Sequence, residues 1–197
     1  MTAKQNDSGE QDIKVLMVCL GRSPMAEAVF ADQASKKPQL AKRIKVDSCG
    51  TAAYHVGEEP DERTVATCRK HGVPIDSHAR ALSPADFHNF THILAMDTNN
   101  LRNILAARPK HSPAKVYIFS KFSHDSSIAD AKPPKSIIDP YYGGLNGFET
   151  CYQQCVDFSD GFLEMLEDGR MEELKDIEEE TEKVAKEGKK KNVKAGL

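Results

Sequence analysis

Cys19 and Arg22 are residues whose types and spacing could together perform phosphate chemistry. They follow Val15–Val18, a short apolar run typical of a strand that is covered on both faces. They precede Ser23 and Pro24, which are typical of a helix start because Ser can cap and Pro has no N–H to leave unpaired. A helix N-terminus presents free N–H groups and a positive dipole end, so it favours an anion and would favour the nucleophilic thiolate of a neighbouring cysteine. The sequence therefore predicts a nucleophile, an anion cradle and a guanidinium within one turn of chain.

The elements that must position this turn alternate along the chain. Strands are predicted at 13–19, 44–49, 91–96 and 115–119, and helices at 24–36, 62–71, 98–107 and 148–166. Asp97 has the chemistry of an N-cap for the third of these helices. This alternation predicts an α/β fold, a four-stranded parallel sheet with helices on both faces in a flavodoxin-like three-layer architecture. The site then belongs at the carboxyl ends of the strands, where Cys19 lies.

The two ends of the chain differ in composition from its middle. Residues 1–12 are polar and predict a disordered lead-in, followed by one domain over 13–167. Residues 168–197 are dominated first by acids and then by lysines, with few apolar residues between them. Such a segment buries too little surface to offset its ordering entropy, so it predicts a charged helical or disordered tail.

Composition excludes several classes of partner. A formal net charge of −3 gives no bulk electrostatic case for nucleic acid, and no apolar run approaches the roughly 20 residues that span a bilayer. Five cysteines without a disulfide-scaffold spacing suit the reducing cytoplasm. Cys151 and Cys155 share a helix face at a spacing that could suit a metal, but no further ligand at matching spacing completes a site. We therefore expect a cytoplasmic protein without a metal.

Four stretches resemble the low-molecular-weight protein tyrosine phosphatases. Cys19-Leu-Gly and Arg22-Ser-Pro-Met-Ala-Glu-Ala-Val-Phe30 match the two sides of that family's phosphate loop. Ile138-Asp-Pro-Tyr-Tyr-Gly143 and Phe148-Glu-Thr-Cys-Tyr-Gln-Gln-Cys155 match its acid loop and the start of its last helix. The resemblance covers about residues 13–166 and includes the loop from Tyr54 to Asp61.

The resemblance implies a cysteine-dependent phosphatase that hydrolyses phosphotyrosine proteins or small aryl phosphates through a phosphocysteine, without a cofactor. It implies that Cys19 is the nucleophile, Arg22 the phosphate clamp and Asp139 the general acid. Further substrate-binding residues would be Leu20, Gly21, Ser23, Tyr54, Tyr141 and Tyr142. Without the resemblance, the stretch at Asp139 is an ordinary turn signal and Tyr54 an ordinary loop tyrosine. A monomer, or at most weak self-association, is expected.

The loop between Cys19 and Arg22 departs from the family pattern. Only Leu20 and Gly21 separate them, whereas the family has five residues there, including an asparagine and a second cysteine. The first turn after Arg22 could unwind to lengthen the loop, but Pro24 would then bring no N–H and Arg22 would lie too early. We expect a folded protein with severely impaired catalysis. A transcript lacking three codons here would give the same sequence as a genuinely inactive variant.

Two other functions stay open. A pseudophosphatase would keep the fold and the tyrosine-lined surface as a binding module without turnover. An arsenate reductase on the same fold would need additional redox cysteines near Cys19, and the Asp-Pro-Tyr-Tyr stretch argues against it.

Overall fold

A computed structural model describes residues 12–19, 21–51, 57–142 and 146–176. Its strands are β1 (Ile13–Val18), β2 (Ile44–Cys49), β3 (His92–Ala95) and β4 (Lys115–Ile118). Its helices are α1 (Ser23–Ser35), α2 (Glu62–Lys70), α3 (Asp86–Asn89), α4 (Thr98–Ala107), α5 (Ser126–Ala129) and α6 (Gly147–Glu167). Short 3₁₀ turns occupy Phe119–Phe122, Pro140–Tyr142 and Arg170–Glu173.

The four strands form one parallel sheet in the order β2-β1-β3-β4. Alternate residues of β1 enter two separate cores: Val15 and Met17 pack with α1 and α6, whereas Leu16 and Val18 pack with α4. Helices therefore cover both faces, and the predicted three-layer α/β fold is confirmed. The predicted strands and long helices end within one residue of the observed ones. The sequence did not predict α3 and α5, because four residues are too short to show a helical period.

Helix α6 lies unusually close to the chain that follows β4. A Cβ atom on Gly161 would lie 1.9 Å from the carbonyl oxygen of Phe122, so the two backbones touch at this point. Phe162 packs edge-on against Phe122 and Phe30, which ties α6 to both the sheet end and α1. This contact fixes the helix that carries the family-like stretch 148–155.

The packed part of the chain continues beyond residue 167. Met171 is buried, and the carboxylate of Asp176 accepts hydrogen bonds from Arg108 Nη1 at 3.0 Å and from the Val116 N–H at 3.0 Å. The segment 168–197 stays a predicted charged helical or disordered tail. Its described start, up to residue 176, packs against the domain through Met171 and the ion pair of Asp176. Residues 1–11 and 177–197 lie outside the described residues. None of the described helices has the length and apolar character needed to cross a membrane.

Candidate active site

Cys19 lies at the carboxyl end of β1, as predicted, and its main chain is anchored to the neighbouring strand. Its N–H donates to the Cys49 carbonyl at 2.9 Å, and its side chain packs in the core shared with α1 and α6. Cys19 is 6% exposed but still lines a cleft at this end of the sheet. Leu20, the next predicted site residue, lies outside the described residues.

Helix α1 begins directly after the short loop. Arg22 is the N-cap, Ser23 the first helical residue and Pro24 the second, and the Ala26 N–H donates to the Arg22 carbonyl at 3.1 Å. The first turn is therefore not unwound to lengthen the loop. Predicting Ser23 as the cap was wrong, because the helix starts one residue earlier than that assignment requires. Ser23 Oγ instead donates to the Cys19 carbonyl at 2.6 Å, which ties the helix to the backbone of Cys19.

All three guanidinium nitrogens of Arg22 are bonded. Nε donates to Cys19 Sγ at 3.2 Å, Nη1 donates to the Ile137 carbonyl at 2.7 Å, and Nη2 forms an ion pair with Asp97. Burial lowers the pKa of Arg22, but Cys19 and Asp97 outweigh it and raise the pKa above its ordinary value. The predicted clamp is thus a buried, permanently charged group that contacts the predicted nucleophile.

Asp97 caps α4, as predicted, and also forms an ion pair with Arg22. One carboxylate oxygen accepts from the Asn100 N–H at 2.7 Å, while the other pairs with Arg22. Burial raises the pKa of Asp97, but the Asn100 N–H and Arg22 outweigh it and hold the pKa below its ordinary value. The sequence carried a signal for the cap but none for the ion pair, since Arg22 lies on another element.

Asp139 and Tyr141 reach the same cleft from the loop that precedes α6. Asp139 Oδ1 accepts from the Tyr141 N–H at 3.1 Å, so the stretch is also the turn that its residues suggest. A Cβ atom on Gly21 would lie 3.2 Å from Tyr141 Cε2, so the tyrosine ring lies over the short loop. The Tyr142 backbone lies in the 3₁₀ turn, but its side chain is not described. Tyr54 lies outside the described residues.

The sequence reasoning missed a cluster at the mouth of the cleft. Arg63 pairs with Asp61 at 2.9 Å, and its guanidinium lies 4.9 Å from the Tyr141 ring centre and 4.6 Å from that of Phe148. Its hydrogen bonds hold the pKa of Asp61 well below the usual range. A hydrogen bond to Asp61 raises the pKa of the Tyr141 phenol. This cluster orients Tyr141, and the Asp61–Arg63 spacing of an N-cap and its first turn was the available signal.

One cleft of about 350 Å³ unites these residues. The predicted site residues that line it are Cys19, Gly21, Arg22, Asp139 and Tyr141, and its further lining residues are Pro24, Glu58, Glu59, Pro60, Asp61, Ala79 and Asn100. Ser23 contacts Cys19 without lining the cleft. The arrangement places a buried thiol, a guanidinium and a carboxyl around one space of a size that suits a phosphorylated side chain.

The other cysteines lie in the protein core. Cys49, Cys68, Cys151 and Cys155 are all buried with free thiols. Burial raises the pKa of Cys49 to about 12 and that of Cys68 to about 11, so both are held as unreactive thiols. Among the residues of the described ranges, no group of three or more His, Cys, Asp or Glu could hold a metal ion.

Known proteins resemble this chain over most of its length. The family model described as low molecular weight phosphotyrosine protein phosphatase matches residues 14–192. The protein of that name from Schizosaccharomyces pombe is 47% identical over 159 residues, covering 79% of this chain and 98% of the relative. The human protein of that name is 39% identical over 155 residues, covering 76% and 93%. A crystal structure of a protein tyrosine phosphatase from Entamoeba histolytica, with Hepes in its active site, superimposes with a TM-score of 0.72 at 32% identity, covering 81% of this chain and 99% of that one.

Proposed function

The chain belongs to the low-molecular-weight phosphotyrosine protein phosphatase family, and from that premise we propose which residues carry its phosphatase chemistry. The Cys19 thiolate attacks phosphorus in line, the bond between phosphorus and the phenol oxygen breaks as Asp139 protonates that oxygen, and a phosphocysteine forms. Water then hydrolyses the phosphocysteine, with Asp139 acting as the base. Arg22 and the N–H groups at the start of α1 stabilise the charge on the equatorial phosphoryl oxygens.

The observation that carries this assignment is the convergence of Cys19, Arg22 and Asp139 on one cleft. The 3.2 Å contact between Arg22 Nε and Cys19 Sγ keeps a positive charge beside the nucleophile. Tyr141 supplies an aromatic wall against which a phosphotyrosine ring can pack. Gly21, Leu20, Tyr54 and Tyr142 complete the substrate-binding set that we propose.

The short loop between Cys19 and Arg22 determines the turnover rate that we expect. With two residues between Cys19 and Arg22, the cradle has fewer amides than a five-residue loop, and each fixed oxyanion donor is worth about 3–4 kcal/mol in the transition state. Both terminal nitrogens of Arg22 are also bonded within the protein. We therefore propose a phosphatase whose turnover is slow for its family, acting on phosphotyrosine proteins as a cytoplasmic monomer.

The direct test is hydrolysis of p-nitrophenyl phosphate and a phosphotyrosine peptide by the full chain. Cys19→Ser runs beside it, together with a variant in which three family-like residues are inserted after Gly21. We expect slow turnover by the chain, a loss of more than about a thousandfold in Cys19→Ser, and faster turnover on insertion. Turnover that survives in Cys19→Ser would refute the assigned nucleophile. Turnover at the rate of the insertion variant would refute the role given to loop length.

A second candidate is a pseudophosphatase that binds phosphotyrosine without hydrolysing it. The observation that favours it is that each nitrogen of the Arg22 guanidinium already donates to a protein acceptor, so fewer of its five N–H groups are left for a transferring phosphoryl group. Calorimetric binding of the phosphotyrosine peptide, with no phosphate release over hours, would select this candidate. Phosphate release that depends on Cys19 would exclude it.

A further inference from the structure

Tyr141 joins the loop that carries Asp139 to the start of helix α6. Its N–H donates to Asp139 Oδ1 at 3.1 Å, and its ring packs edge-on against Phe148, with the ring centres 6.3 Å apart. The residue is nevertheless 53% exposed, so these contacts cover only part of the side chain. An exposed side chain changes rotamer quickly unless a further group holds it.

Arg63, in the first turn of α2, holds this aromatic pair. Its Cζ atom lies 4.9 Å from the Tyr141 ring centre and 4.6 Å from that of Phe148, within the range at which a guanidinium is attracted to a ring. Nε and Nη2 donate to the two carboxylate oxygens of Asp61 at 3.0 and 2.9 Å, and this bidentate pair fixes the orientation of the guanidinium. Arg63 itself does not line the cleft, so its influence on the reaction passes through Tyr141.

The chain on the other side of Asp139 is anchored independently of Arg63. The Ile138 N–H donates to Gln154 Oε1 at 2.9 Å, which ties the loop to the second turn of α6. The Asp139 carboxyl therefore lies between this anchor and Tyr141, and a shift of Tyr141 would carry the carboxyl with it. Because a general acid must lie within hydrogen-bond reach of the oxygen that it protonates, the position of Tyr141 bears on proton transfer.

We infer that Arg63 is a positioning residue for proton transfer from Asp139, acting through Tyr141. This inference rests on the proposed function. In the step concerned, the bond between phosphorus and the phenol oxygen breaks, its electron pair goes to that oxygen, and the Asp139 proton moves to the same oxygen. A misplaced carboxyl slows the step most where the departing oxygen needs the proton.

The test compares phenyl phosphate, whose poor leaving group needs the proton, with p-nitrophenyl phosphate, whose good leaving group departs without it. The quantity measured is kcat/KM, because it reports the steps up to departure of the phenol. In Arg63→Met we expect a fall of about tenfold for phenyl phosphate and of less than about threefold for p-nitrophenyl phosphate. Arg63→Lys keeps a cation beside Asp61 and the two rings, so it should limit the loss on phenyl phosphate to about threefold.

Two controls separate positioning from a general loss of structure. Arg69→Met changes an exposed residue of the same helix that does not line the cleft, and it should leave both substrates unchanged. In an Asp139→Asn background, Arg63→Met should no longer alter the ratio of the two substrates, because the acid it positions is gone. Helix α2 retains its cap in the Arg63 variants, since Asp61 accepts from the backbone N–H of residue 63 at 2.8 Å.

Equal effects on the two substrates, or a change of ratio that persists in Asp139→Asn, would overturn the inference while the remaining turnover leaves the proposed function standing. If the chain hydrolyses neither substrate, the proposed function fails, and hydrogen exchange of the Tyr141 N–H, followed by NMR, decides whether Arg63 holds this residue against Asp139. Exchange that is about fivefold faster in Arg63→Met supports the inference. Unchanged exchange overturns it.

Discussion

The N-termini of α1 and α4 meet at the cleft, and they differ in their capping. Helix α1 starts at Arg22 with no side-chain cap among the described residues and no acid in its first turn. Helix α4 starts at Asp97, whose carboxylate caps the Asn100 N–H and also binds Arg22. The positive end of α4 is thus neutralised from within the protein, whereas that of α1 is open to an anion from outside. The comparison separates a helix N-terminus that is capped within the protein from one that has no side-chain cap.

The largest effect on stability is expected from Asp97→Ala, which removes the side-chain N-cap of α4. It leaves the buried Arg22 charge without its ion pair and the Asn100 N–H without its acceptor. The free energy of unfolding should fall by about 3 kcal/mol in urea titrations.

Asp125→Ala is the control for a cap without a buried ion pair. Asp125 caps α5 by accepting from the Ser127 N–H at 2.8 Å. Its loss should cost about 1 kcal/mol. Equal costs for the two variants would show that the Arg22 pair does not contribute to stability.

Pro24→Glu would place a carboxylate at the N-terminus of α1, as Asp97 does at the N-terminus of α4. Pro24 lies at the second position of α1 and lines the cleft, so a carboxylate there would occupy the open helix end. We expect the affinity for inorganic phosphate, measured by calorimetry, to fall about tenfold. Pro24→Gln keeps the side-chain length without the charge and should lose much less. A similar loss in both variants would attribute phosphate binding to shape rather than to charge at α1.

Ser23→Ala should have a smaller effect on stability. The buried Ser23 hydroxyl donates to the Cys19 carbonyl at 2.6 Å, and its loss should cost about 1 kcal/mol of unfolding free energy. Ser35→Ala removes the same kind of bond, to the Asp32 carbonyl at 2.7 Å, at the exposed end of the same helix. That control should change stability by less than about 0.5 kcal/mol. The reverse ranking would contradict the role of Ser23 in tying α1 to the backbone of Cys19.

Acid should gradually remove the stabilisation that the Asp97 carboxylate gives to α4. The pKa of Asp97 is lower in the folded chain than its ordinary value, so its stabilisation is present above about pH 4 and is lost as the pH falls through the folded pKa. Asp97→Asn keeps a capping oxygen but cannot titrate. Unfolding titrations from pH 6 downward should therefore show a shallower loss of stability below about pH 4 in Asp97→Asn than in the parent chain. Identical slopes would exclude Asp97 from the acid response.

The predictable parts of this molecule are those that depend on neighbours in sequence. The run Val15–Val18 marks a strand and Asp97 marks a helix start through local chemistry, and these elements lie where they were expected. The ion pair of Arg22 with Asp97, and its bond to the Ile137 carbonyl, join segments that only the folded sheet brings together. No pattern of neighbouring residues in the sequence predicts such contacts. The same holds for Asp176, whose partners make an acidic stretch part of the domain.

The carboxylate of Asp176 has a further consequence for the exposed edge of the sheet. β4 is the outer strand on its side of the sheet, and an outer strand offers unpaired N–H groups on which a strand from another molecule can be added. Asp176 accepts from the Val116 N–H of that strand, so a charged side chain occupies a bonding position that an intruding strand would need. Truncation before Met171 would uncover this amide together with the apolar surface that Met171 covers. A charged side chain of the segment after α6 thus occupies one hydrogen-bonding position on this edge strand.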